Sequence, residues 1–268
     1  MTYQTLIYTV SDDVAVITLN RPSVMNALTS ELRRDMLAAL REAETQARVL
    51  VLTGAGRAFC SGQDLAEVDI ETVDLEAVLR DEYEPLLTAI AACPLPVIAA
   101  VNGAAAGAGA GLALACDVVI AAESASFIQA FTRIGLVPDA GGSYWLPRQI
   151  GLARAMGAML FAETVTARQA ADWGMIWEAV PDDTFAAHWR ARALALACGP
   201  SPAYRGVKQA LRASFDNDFA GQLALEARLQ GTCARPPISA KGLPPFWPSA
   251  RPGFRAAKST ACKVRPED

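Results

Sequence analysis

The chain has 268 residues, enough for one large domain with a substantial core, or for a core with a smaller appendage. Only 19% of the residues are charged and 52% are hydrophobic, so much apolar surface has to be hidden, part of it between subunits. A net charge of −4, with no basic stripe carrying interleaved aromatics, argues against a nucleic-acid partner. Cys60, Cys93, Cys116, Cys198, Cys233 and Cys262 have neither the paired spacing of a zinc site nor the density of a secreted disulfide scaffold, so reduced cytoplasmic thiols are expected. The opening MTYQTLIYTVSDD lacks the basic start and long apolar run of a signal peptide.

Leu6 to Val10 and Val14 to Leu19, separated by Ser11-Asp12-Asp13, read as a hairpin. From Thr29, an N-cap residue type, Leu32, Met36, Leu37 and Leu40 fall on one face of a helix that runs to about Gln46. Val49 to Leu52 is a strand, and Phe59-Cys60-Ser61-Gly62 is expected to be a loop that brings bare backbone to a site. A helix from about Leu75 to Ala92 leads to Pro96–Asp117, PVIAAVNGAAAGAGAGLALACD, which has no charge before its last residue.

Within that stretch Val97 to Val101 suits a buried strand, Asn102-Gly103 a turn, and Leu112 to Ala115 the body of a helix introduced by Gly107, Gly109 and Gly111. Such a helix start directs unpaired N–H groups at whatever lies in front of it, which makes an anion or oxyanion site. A membrane helix is the competing reading, since Gly103, Gly107 and Gly111 recur at the four-residue spacing of membrane helix contacts. Weak hydropathy, the internal turn and the lack of Lys or Arg between Arg80 and Arg133 speak against it.

Asp117 to Ala121 and Ala125 to Ile128 read as short strands, and Pro138-Asp139-Ala140-Gly141-Gly142 opens another helix. Thr166 caps a short helix that Gly174 ends, Ile176 to Val180 is a last strand, and a helix follows from about Thr184 to Cys198. Gly199-Pro200-Ser201-Pro202 marks a boundary, beyond which Ala203 to Ala213 and Phe219 to Gln230 are helical. The fold class is therefore α/β with crossover connections, residues 1–199 forming the core and 200–231 a helical appendage.

His188, the single histidine, lies inside a predicted helix beside Trp189 and is read as a surface or packing residue. Without it the Ser-His-Asp and Cys-His arrangements fall away. Backbone donors and carboxylates have to carry any chemistry.

Three motifs in order, FCSGQDL (Phe59 to Leu65), AVNGAAAGAGAGLALACDVVIA (Ala100 to Ala121) and GLVPDAGGSYWLPR (Gly135 to Arg148), resemble the crotonase superfamily of enoyl-CoA hydratases and isomerases. The resemblance spans about residues 5–230. It implies a spiral of ββα units, a C-terminal helical region that mediates trimer contacts, and often a dimer of trimers. It also implies an acyl thioester of coenzyme A as substrate, with no cofactor beyond the coenzyme A it carries, no metal and no membrane partner.

Matched onto this chain, the family's two oxyanion donors are the N–H groups of Gln63 and Ala108. The same match places Ala58, Gly62, Asp64, Leu65, Gly107, Phe131 and Trp145 around the substrate. A Gly-rich loop needed only for close packing is the alternative. The two glutamates with which the family's hydratases add water correspond to Gly111 and Phe131, so simple hydration is disfavoured.

One carboxylate remains where other branches place an acid/base, Asp139, although Asp before Ala140-Gly141-Gly142 could equally cap a helix. Buried there, its pKa would rise and it could take a proton from one carbon and return it to another. Phe131, Tyr144 and Trp145 suit an apolar or aromatic acyl group, or core packing. The run from Ser126 to Val180 is most similar to the epoxyphenylacetyl-CoA isomerases of phenylacetate degradation, which open an epoxide and expand the ring to an oxepin. The alternatives are an isomerase of linear enoyl-CoA or a hydratase-like enzyme, and a non-catalytic acyl-CoA-binding subunit.

From about Thr232 the chain departs from the family, because PPISAKGLPPFWPSARPGFRAA is rich in Pro where a last amphipathic helix is usual. Residues 232–268 are read as an atypical tail produced by a natural or recorded frameshift, which weighing the intact protein would test.

Overall fold

The computed structural model describes residues 3–67 and 73–234. The atypical tail, apart from its first three residues, lies outside them.

The hairpin forms as its sequence demands. β1 (Leu6–Ser11) pairs antiparallel with β2 (Val14–Leu19), and both turn residues, Asp12 and Asp13, take positive φ, 52° and 62°. Such a two-residue turn matches the twist of the strands it joins, and Asp tolerates that conformation better than most residues.

From β2 the sheet continues parallel through β3 (Val49–Gly54), and three turns of one spiral follow. In each turn a strand of the large sheet feeds a short strand of a second sheet and then helical structure. β3 leads to β4 (Ala58–Cys60), β5 (Val97–Val101) to β6 (Ala104–Ala106), and β7 (Val118–Ala122) to β8 (Ser126–Ile128). The large sheet has the order β1-β2-β3-β5-β7-β10, closed by β10 (Glu178–Val180); the small one runs β4-β6-β8-β9, where β9 is Val165–Thr166. β5 is buried at every position, as expected of a central parallel strand.

The expected loop at Phe59–Gly62 is corrected in part, since Phe59 and Cys60 belong to β4 and only Ser61 and Gly62 lie beyond it. β6 has no local signal in the sequence. Ala-Ala-Ala has little strand propensity, and it is extended here because β4 and β8 pair with it on both sides.

α1 (Ser30–Gln46) is capped by Thr29, whose hydroxyl accepts from Leu32 N at 3.1 Å. The helix expected over Leu75–Ala92 is present as α2 (Leu75–Val78), a π turn (Leu79–Tyr83) and α3 (Glu84–Ala92). Pro85, which has no N–H to donate back to Asp81, accounts for the irregular turn. α4 (Ala108–Leu114) begins four residues earlier than its apolar run suggests. The Pro96–Asp117 stretch is thus strand, turn, strand and helix, and no helix among the described residues is long and apolar enough to cross a membrane.

α5 (Gly142–Phe161) breaks at Gly151, and α6 (Ala167–Asp172) is capped by Thr166 as its sequence indicates. α7 (Asp182–Ala197) carries His188, whose Nε2 lies 2.8 Å from Glu178 Oε1 on β10, a link between elements. α8 (Ser201–Ala213) and α9 (Phe219–Cys233) follow the Gly199-Pro200 boundary. Lys208 of α8 reaches Asp117 at 2.6 Å and donates to the carbonyls of Cys93 and Leu95, while Arg212 pairs with the same Asp117 at 2.9 Å.

Candidate active site

Two loops, one after β4 and one between β6 and α4, come into contact. Leu28 and Gln63 form an isolated parallel bridge, in which Leu28 N donates to Gly62 O at 2.8 Å and Asp64 N donates to Leu28 O at 3.1 Å. In a parallel bridge of this kind the neighbours of the bridging residue supply the bonds, so the N–H of Gln63 itself points away from Leu28. A Cβ on Gly62 would stand 2.8 Å from Ala106 O and 3.3 Å from Ala108 N, so only glycine allows this approach.

The second loop turns at Gly107, with φ 53° and ψ −124°, a conformation that disfavours any Cβ. Its N–H donates to Ile128 O at 2.9 Å, and its carbonyl accepts from Ala110 N and Gly111 N. Ala108 N, the first amide of α4, takes no acceptor among the described residues, and neither does Gln63 N. Two unpaired amides therefore sit in touching loops.

The side chain of Gln63 is held as well. Its Oε1 accepts from Arg33 Nη1 at 2.8 Å and from the Tyr83 hydroxyl at 2.6 Å. Sequence reasoning missed both partners. The available signal was a charge placed on the inward stripe of α1, where Arg33 is buried along with Leu32, Met36 and Leu40.

A Cβ on Gly111 would lie 2.5 Å from Ala140 O and 2.9 Å from Ala140 Cβ, so the main chain of Ala140 fills the space beside Gly111, the position the sequence match aligns with the first hydratase glutamate. Phe131, at the second, is buried, and its ring lies across Gly107, with Cζ 3.6 Å from where a Cβ would be. Next to Ala140, Asp139 has a buried Oδ1 with no partner among the described residues. Burial pushes its carboxyl up to about 6.

The capping alternative is decided by geometry. Gly141 is the N-cap of α5, no side chain among the described residues caps that end, and Asp139 contributes its main-chain oxygen, which accepts from Gly142 N at 2.8 Å. Burial raises the pKa of Tyr83, Arg33 opposes that rise and the charge of Asp139 adds to it, so Asp139 lies within electrostatic reach of the hydroxyl that holds Gln63 Oε1.

Trp145 stands at the entrance to α5, its Nε1 3.0 Å from where a Cβ on Gly141 would be, edge-on to Tyr144 and beneath the Arg212 guanidinium of α8. Other residues matched to the substrate serve the loop. Ala58 is buried and its carbonyl accepts from Asn26 Nδ2 at 2.8 Å, Asp64 pairs with Arg21 at 2.8 Å, and Leu65 is exposed. Asn26, also missed, donates in addition to Ala55 O and Phe59 O and so ties together the turn between β3 and β4.

Comparison with known proteins gives this geometry its context. The family model for enoyl-CoA hydratase/isomerase matches residues 9–255. A protein of Rhodobacter capsulatus named probable enoyl-CoA hydratase is 60% identical, over 95% of this chain and 99% of its own. The 1,2-epoxyphenylacetyl-CoA isomerase of Escherichia coli is 41% identical, over 91% and 96%. The crystal structure of enoyl-CoA hydratase from Bacillus anthracis superposes with a TM-score of 0.79 at 32% identity, covering 85% of this chain and 90% of that one. The chain therefore belongs to the enoyl-CoA hydratase/isomerase family and has the crotonase fold.

Proposed function

We propose that the chain is an acyl-CoA isomerase that works through an enolate, and that its substrate is 2-(1,2-epoxy-1,2-dihydrophenyl)acetyl-CoA, converted to oxepin-CoA. The observation that carries this reading is the exchange around Gly111: the place matched to a hydratase glutamate is taken by the main chain of Ala140, while the adjacent Asp139 holds a buried carboxyl oxygen with no partner among the described residues. The 41% identity to the Escherichia coli epoxide isomerase supports the substrate, and the Phe131 ring across Gly107 offers apolar surface beside the glycine turn.

In this mechanism the thioester oxygen accepts from Gln63 N and Ala108 N. Removal of the α-proton sends charge to that oxygen, and each amide stabilises it by about 3 kcal/mol in a water-excluded site. Asp139, as carboxylate, takes the α-proton. The carbon–carbon bond shared by epoxide and ring opens to the seven-membered oxepin, and Asp139 delivers the proton to a ring carbon. Composition is unchanged, as an isomerisation requires.

The name of the Rhodobacter capsulatus relative favours a second reading, hydration of an enoyl-CoA. Purified protein incubated separately with the epoxide and with a linear enoyl-CoA separates the two. Oxepin-CoA from the first and no added water in the second are expected; rapid hydration with the epoxide untouched would overturn the proposal.

Assembly as a trimer or a dimer of trimers belongs to the same reading. It is supported by exposed apolar side chains on α5 and α8, among them Leu160, Phe161, Val207 and Leu211. Light scattering would test it, and a monomer at micromolar concentration would contradict it.

A further inference from the structure

Resting on the oxyanion reading above, we infer that Arg33 and Tyr83 are positioning residues that clamp the Gln63 carboxamide and so aim the Gln63 amide at the thioester oxygen. Arg33 is 2% exposed, on the face of α1 that otherwise contributes Leu32, Met36 and Leu40 to the core. A guanidinium in such a place is costly unless its donors are satisfied.

They are satisfied by groups that surround one loop. Nη1 donates to Leu28 O at 3.1 Å, to Gln63 Oε1 at 2.8 Å and to Tyr83 Oη at 3.1 Å. Nε and Nη2 donate to Glu82 Oε2 at 3.1 and 2.6 Å, and Nη2 also to Ser30 Oγ at 3.2 Å. Leu28 is the residue that bridges the main chain of Gln63, so Arg33 grips both the bridge partner and the side chain of the same residue. Tyr83 closes the clamp. Its hydroxyl donates to Gln63 Oε1 at 2.6 Å, and its ring lies under the guanidinium with 4.4 Å to the centroid.

With main chain and side chain both fixed, the φ and ψ of Gln63 have little freedom, and the direction of its N–H follows. Direction matters because a hydrogen bond weakens steeply once its angle falls below about 120°. A loop amide without this support would be present but poorly aimed. The charge on Glu82 balances Arg33 at the outer end, leaving Nη1 to the loop.

The test uses a conjugated, unreactive thioester, 4-(dimethylamino)cinnamoyl-CoA, whose absorption moves to longer wavelength when its carbonyl is polarised. It is bound to the intact wild-type chain and to Arg33→Met, Arg33→Lys and Tyr83→Phe. The wild type is expected to red-shift the probe. Arg33→Met and Tyr83→Phe lose about half of that shift or more, Arg33→Lys regains part of it, and the Kd for the probe stays within about threefold, since an effect on aim changes polarisation more than binding. In turnover, kcat falls roughly ten- to hundredfold while KM stays within about twofold.

If Arg33→Met fails to fold, Tyr83→Phe, which removes one hydroxyl, decides. Full red shift and wild-type kcat in the folded variants would overturn the positioning role and leave the oxyanion reading intact. A wild type that does not shift the probe would overturn that reading and this inference with it.

Discussion

Ala140 occupies the space that a side chain on Gly111 would need, its carbonyl oxygen 2.5 Å and its Cβ 2.9 Å from where a Cβ would be. The neighbour is backbone, and it belongs to a turn in which Ala140 and Gly141 both take positive φ, 49° and 76°. Such a turn cannot move aside cheaply. Gly111→Ala is therefore expected to destabilise the fold by about 1–3 kcal/mol, as overpacking does, and to displace Asp139. Gly111→Glu, which restores a hydratase residue type, is expected to give less stable protein and no gain in hydration. Chemical denaturation and an enoyl-CoA hydration assay check both; a stable, hydrating Gly111→Glu would show that the turn is not fixed.

Asp139 has to be ionised to take a proton, and burial pushes its carboxyl up to about 6. The rate kcat/KM for isomerisation should therefore fall as pH drops below about 6. Asp139→Asn keeps the shape and removes the base, so a loss of at least about a hundredfold is expected on the plateau above about pH 7, narrowing toward acid because the variant lacks that acid limb. A pH–rate profile of both proteins measures this.

The raised proton affinity of Asp139 also has a sign for stability. The folded state holds this proton more tightly than the unfolded chain does, so its contribution is fully present below about pH 4 and is lost as pH rises through about 6. Each tenfold gain in proton affinity is worth about 1.4 kcal/mol, so after allowance for solvent screening the loss is on the order of 2 kcal/mol. Asp139→Asn should accordingly unfold at a higher temperature than wild type at pH 8, with the gap closing by pH 4. Thermal melts at the two pH values would show it, and a gap that widens toward acid would contradict the assignment.

Lys208 secures α8 to the core, joining Asp117 at 2.6 Å and satisfying the carbonyls of Cys93 and Leu95. Asp117 in turn accepts from Val97 N at 2.8 Å, at the start of the strand that leads into the glycine turn. Lys208→Met leaves two carbonyls and part of a carboxylate without partners, at a cost of about 2–3 kcal/mol. The urea midpoint should fall with the slope unchanged.

Much of the fold is legible in the sequence because its elements announce themselves locally. Thr29 and Thr166 are capping residues in the structure as their positions suggest, and Val97–Val101 is a fully buried strand. What is not legible depends on partners distant in sequence. Ala104–Ala106 is a strand only because β4 and β8 flank it, and Arg33 matters only because Gln63 and Tyr83, 30 and 50 residues away, meet it. Asp139 is ambiguous in the sequence for a local reason: Asp ahead of two glycines suits a cap and a base equally, and the N-cap at Gly141 removes the first of these.

Exchange of the α-protons of phenylacetyl-CoA in deuterium oxide tests enolate formation without requiring any later step of the isomerisation. Followed by mass spectrometry, the wild-type protein should introduce deuterium at the α-carbon, and Asp139→Asn should do so at least about a hundredfold more slowly. Uptake no faster than in buffer, or equal in the two proteins, would contradict the central role given to Asp139 and the two amides.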